Sequence, residues 1–249
     1  MKRILLISLC LLLAACTHEL TTARVSDEGE VRMSSGDASL SYDYSVEYVT
    51  GGVAPEVMDK INNRIISQDI FFNEDETGTD VPAACKRWAD DMVNGYEVDT
   101  EDFMKEYDAE QAWMFNWEFS MSGSFEGACR SRNLQTYCMK NSDYTGGAHN
   151  MYAESYTVYD LTTGEVFRQE DLLREGCEEE LSELLSDKIV DSVDEELLDA
   201  IFGTAWPNDN FSVDENGVTW HYNPYEIAPY VLGVLEATLS WKELEPFLK

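Results

Sequence analysis

Apolar and polar positions alternate through SLSYDYSVEYV (39–49), so that Leu40, Tyr42, Tyr44, Val46 and Tyr48 share one side. That two-residue period is the mark of a half-buried strand. After Gly51-Gly52 the period becomes helical. Pro55 suits a first helical turn, and Val57, Met58, Ile61, Ile65 and Ile66 recur at helical spacing to about Phe72. NEDETGTD (73–80) reads as a polar loop. A second helical region follows from Pro82, with Trp88, Met92, Phe103 and Tyr107 as candidate buried positions and Gly95 as an expected interruption. WMFNWEFSMSGSF (113–125), NLQTYCMK (133–140) and MYAESYTVYDL (151–161) return to strand patterning, and DLTTG (160–164) is a turn leading to Val166 and Phe167. Leu181, Leu184, Leu185 and Ile189 define an acidic amphipathic helix, which EELLDAIF (195–202) is expected to continue. FSVDENGVTWHYN (211–223) reads as a hairpin turning at Asp-Glu-Asn-Gly, with Gly217 expected at positive φ. VLEATLS (234–240) is a last strand and WKELEPFL (241–248) a short terminal helix. The order predicts an α+β fold, mainly antiparallel sheet with packed helices, in two consecutive lobes at 38–165 and 166–249.

The amino terminus carries a different pattern. Lys2 and Arg3 precede an apolar run from Ile4 to Leu13, and Leu13-Ala14-Ala15 leads into Cys16. The run is shorter than the ~20 residues that span a bilayer, and it reads as a signal segment over 1–15. A cysteine directly after the small residues resembles a lipoprotein lipobox, with Cys16 as the lipidated residue of a cell-envelope protein facing the periplasm or the cell surface. Residues 16–37 are polar, with scarcely a large apolar side chain, and are expected to form a flexible tether.

Charge narrows the partners. With 17 basic and 49 acidic residues the chain stands at −32, which argues against nucleic acid and favours, if anything, a cationic protein. Four cysteines follow the signal segment. In an oxidising compartment the pairs Cys129–Cys138 and Cys85–Cys177 are the expected disulfides, with other pairings open. The chain holds no GxSxG, HExxH, Walker or GxGxxG motif and only three histidines. Asn73, Asp75, Thr77 and Gly78 imitate the start of a calcium loop, but Ala84 stands where its bidentate glutamate belongs. No metal, cofactor or enzymatic activity is therefore expected.

Two stretches remain. YTGGAHN (144–150) places Gly146 and Gly147 before His149. NPYEIAPYVLG (223–233) crowds Asn223, Pro224, Tyr225, Glu226, Pro229, Tyr230 and Gly233 between two strands, as a structural corner or a binding loop. With YTVYDLTTGEV and VTWHYNPYEIAPYVLGVLEATLSWKEL, they make residues 38–249 resemble a family of bacterial extracytoplasmic domains. That family is shared with the lysozyme-sensing anti-sigma factor RsiV and is found beside the deacetylase domain of PdaC. The resemblance implies a sigma-binding segment, a transmembrane helix or a deacetylase domain, and this sequence departs from it in showing none of them. What transfers as an expectation is an envelope binding protein whose partner is lysozyme or another cationic protein. The rival expectation is a glycan-binding module or envelope hydrolase. Its pocket would join His149 and His221 to Glu226, with Trp220, Tyr222, Tyr225 and Tyr230 as lining.

Overall fold

The computed structural model describes residues 19–32, 38–103, 105, 111 and 114–249. Cys16, the signal segment, Tyr107 and the side chain of Phe103 lie outside the described residues. The chain forms β1 (Thr21–Arg32), β2 (Ser39–Gly51), α1 (Pro55–Arg64), a π-helical turn (Ile65–Ile70), α2 (Val81–Phe103), β3 (Trp117–Cys129), β4 (Leu134–Tyr144) and β5 (Met151–Asp160). The second part follows with α3 (Gln169–Leu172), α4 (Glu178–Ser192), β6 (Phe211–Val213), β7 (Gly217–Tyr222), β8 (Leu235–Ser240) and α5 (Trp241–Leu244). Five strands make one sheet in sequence order and β6–β7–β8 a second.

The pairing is antiparallel except between β2 and β3. That pair is parallel because both long helices are inserted between them, and a crossover returns the chain in the same direction. Helix α1 is pinned to β2 by buried Asn62, whose amide donates to the Val49 carbonyl (2.8 Å) and accepts from its N–H (3.0 Å). Two cores result. Ile61, Ile65, Ile70 and Trp88 pack against Val46, Met121 and Tyr137. Leu181, Leu185 and Ile189 of α4 pack against Trp220, Tyr222 and Leu239, joined by Cys129, Leu134 and Val158 from the larger sheet.

Several expectations change. Most of the stretch read as a tether is β1, paired to β2 over its whole length. An edge strand is held by its backbone ladder to a neighbour that is already ordered, so its side chains need bury little. Gly95 does not interrupt α2; the helix runs through it. Past Ser192 the backbone turns extended at Val193, and 195–200 form a 3-10 turn, not more of α4. Gly217 is not left-handed. A side chain there would instead meet the Leu239 carbonyl at 2.0 Å, while Asp214 closes the turn by accepting from the Asn216 (2.6 Å) and Gly217 (2.9 Å) N–H groups.

None of the expected disulfides is formed: Cys85, Cys129, Cys138 and Cys177 are all free thiols. Cys129 lies opposite Leu134 and Cys138 opposite Ser124. The two are thus about 13 Å apart along the hairpin at ~3.4 Å per residue, where a bridge needs Cα atoms within about 7 Å. Cys85 and Cys177 belong to different cores. Burial pushes the Cys85 and Cys138 thiols up to about 12, so they act as small apolar side chains.

Candidate functional site

The two singled-out stretches meet in space. Gly146 and Gly147 take φ of 92° and 116°, and a Cβ on Gly146 would lie 2.9 Å from the Met114 carbonyl, so the loop can turn there only with glycine. The turn delivers His149, exposed, onto the ring of Tyr230 (4.0 Å between centroids, stacked), and its Nδ1 lies 2.7 Å from the Asn150 carbonyl. The Tyr230 hydroxyl donates to Asn150 Oδ1 (2.9 Å), and Tyr152 and Tyr225 flank the same ring. Pro229 precedes the 3-10 turn carrying Tyr230, and Gly233 ends it at φ 69°, passing close to the Tyr152 hydroxyl. Tyr225 is held at φ 72° and half exposed, and Val231 is 78% exposed.

The same segment fastens the lobes. Asn223, ahead of Pro224, accepts from the Glu154 N–H (2.8 Å) and donates to its carbonyl (3.0 Å). Asn210 makes the equivalent bonds to the Tyr156 N–H and the Glu154 carbonyl. Two asparagines thus replace the strand that β5 lacks on its outer edge.

The expected pocket joining His149 to Glu226 is not formed. Glu226 lines a cleft between the lobes, and His149 is not part of that lining. Trp220 and Tyr222 are buried in the second core. His221 is buried as well, with Nδ1 3.1 Å from Glu236, Nε2 2.9 Å from Ser212 and its face stacked 3.6 Å from Tyr156. The order Ser–His–Glu resembles a nucleophile relay. Tyr156, however, covers the ring, and burial lowers the imidazole to about 4, leaving it a neutral tie between β6, β7 and β8.

Beside the aromatic cluster lies a concavity of about 840 Å³ on the solvent face of the larger sheet. Strand register builds it in two rows: Glu28, Asp43, Ser120 and Ser142, then Glu30, Ser41, Glu118 and Tyr144. Four carboxylates line it and no lysine or arginine does, while Ala148 and Asn150 join it to the His149 loop. Arg32 reaches Glu30 from the rim (2.6 Å). The alternation in SLSYDYSVEYV was sufficient to place Asp43 outward. Nothing in the polar pattern of 16–37 marks Glu28 and Glu30, and only pairing with β2 brings them here. Among the described residues no group of His, Cys, Asp and Glu is arranged to hold a metal ion.

These features define a two-lobed α+β protein with an acid-lined concavity on its larger sheet and a cleft between the lobes, the cleft lined in part by Asn223 and Glu226 of the segment joining β7 to β8. Residues 169–242 match the model of DUF3298, a protein family of unknown function. A DUF3298 family member from Bacteroides fragilis shares the fold with a TM-score of 0.83 at 21% identity, over 94% of this chain and 95% of that one. A DUF3298 family protein from Pseudomonas aeruginosa aligns with a TM-score of 0.63 at 17% identity, over 94% and 96%. No curated protein matches the chain in sequence.

Proposed function

We propose that this chain is a cell-envelope lipoprotein, anchored through lipid on Cys16, that binds a cationic protein of the lysozyme kind without catalysing a reaction. The observation that carries the reading is the sheet concavity. Glu28 and Asp43 face each other directly across β1 and β2. Like charges so placed are destabilising, and an incoming lysine or arginine would relieve that repulsion. The net charge of −32 steers a basic partner toward the protein. The neighbouring Tyr225, His149 and Val231 are exposed side chains of the sort that anchor an interface once it closes.

The test is calorimetric titration of the chain from residue 17, which keeps β1, with a C-type lysozyme at physiological salt and cytochrome c as an equally basic control. Submicromolar binding to lysozyme alone is expected, weakened at least about tenfold by the double variant Asp43→Lys, Glu118→Lys. Equal, salt-sensitive binding of both proteins would reduce the acidity to a device for solubility.

A further inference from the structure

The cleft between the lobes is a separate concavity of about 400 Å³, floored by β5. One wall is the π-helical turn with Arg64, Asp69 and Phe72, and the other carries Asp209 and Glu226. Its volume is that of a small-ligand pocket, about 300–1,000 Å³. Three features of this wall have no structural use. First, Asp69 is 4% exposed, yet its Oδ2 has no hydrogen-bond partner, and neither does the buried Nε of Arg64. An unmet buried polar group costs about 1–3 kcal/mol. Second, the helix that carries Asp69 widens to π geometry at Ile65–Ile70, a distortion found frequently at functional sites. Third, Phe72 is held at φ 50° and is 68% exposed on the lining of the cleft. For a bulky residue this is a strained conformation.

The ligand follows by elimination. A bare cation would meet Arg64 and Arg168, and a bare anion would meet Asp69, Asp209 and Glu226. Asp69 and Arg64 stand on the same wall as a carboxyl and a guanidinium, and a hydroxyl group can donate to one and accept from the other. Asn210 and Asn223 are already bonded to the β5 backbone, so they shape the cleft and leave recognition to the charged groups. Phe72 adds an apolar face on which the C–H side of a sugar ring can lie. We infer that the interlobe cleft is a saccharide-binding site, with Asp69 and Arg64 taking adjacent hydroxyl or amide groups and Phe72 stacking on the ring. Burial raises the Asp69 carboxyl to about 7, although the Arg64 charge opposes the shift. Near neutral pH the Asp69 carboxyl is therefore poised between its donor and acceptor forms.

The experiment is saturation-transfer NMR and calorimetry of the chain from residue 17 with the tetramer of N-acetylglucosamine, maltotetraose and cellotetraose. Saturable binding of at least one is expected, weakened about tenfold or more by Phe72→Ala. Phe72 is exposed, so that variant should fold, and Asp69→Asn tests the polar half. Absence of saturable binding by all three sugars would overturn the inference, as would binding that Phe72→Ala leaves unchanged. Neither residue lines the acidic concavity, so the lysozyme titration passes or fails independently of this one.

Discussion

Replacing His221 with glutamine should remove a pH dependence from the stability of the fold. The imidazole is 4% exposed and faces Ser212 from β6, Glu236 from β8, Tyr156 and Glu154 from β5 and Lys140 from β4. Burial lowers it from 6.5 to about 4; the Glu154 carboxylate partly opposes this and Lys140 adds to it. The unfolded chain therefore takes up the proton more readily than the folded one. The stabilisation is complete above about pH 6.5 and falls away as pH drops toward 4. The full difference is about 3 kcal/mol, of which about 2.5 kcal/mol is lost by about pH 4.5. Glutamine stays neutral throughout and can keep one of the two hydrogen bonds. Urea unfolding of both proteins between about pH 7.5 and pH 4.5 measures the term, because the carboxylates titrate in both and cancel in the difference. The variant should be the less stable protein at neutral pH, and the gap should close by about 2.5 kcal/mol at the acid end. A gap that does not change with pH would refute the buried neutral imidazole.

Two further outcomes test the packing. Gly217→Ala drives a methyl group into the Leu239 carbonyl and should cost about 3 kcal/mol or more, read from the urea midpoint. With its thiols free and Cys85 and Cys138 raised to about 12, the native protein should react slowly with a thiol reagent and fully once unfolded. A reducing agent should leave its midpoint unchanged, and a fall in midpoint would reveal a disulfide.

Elements whose periodicity comes from burial were legible from the sequence alone. Strand β2, helix α1, helix α4 and the β6–β7 hairpin appear where the apolar spacing puts them, because each turns one face to a core. Elements held by something other than burial were not legible. Strand β1 buries little and exists because β2 offers an unpaired edge. Gly95 remains inside α2 because the packed residues around it outweigh a propensity cost of about 1 kcal/mol. The cysteines were paired by compartment and count, while the hairpin register keeps them apart. His149 and Tyr230 were noticed as separate motifs, but their stacking depends on how two loops about eighty residues apart are brought together.

Several of the places where local rules fail lie at the candidate surfaces. Glu28 opposes Asp43 across a strand pair, Asp69 and Arg64 keep buried atoms unpartnered, and Phe72 and Tyr225 sit at positive φ. Each conflict would be relieved by a conservative change: a serine at 43, an apolar residue at 69, glycine at 72 or 225. Every one of them borders the acidic concavity, the interlobe cleft or the aromatic cluster. A protein selected for stability alone would shed such costs, since most of its other residues agree with the fold. Other unmet atoms lie inside the cores, on Tyr159 and Trp220, and Asn133 takes positive φ at the β3–β4 turn; what sets the conflicts at the concavities apart is that a bound partner could relieve them.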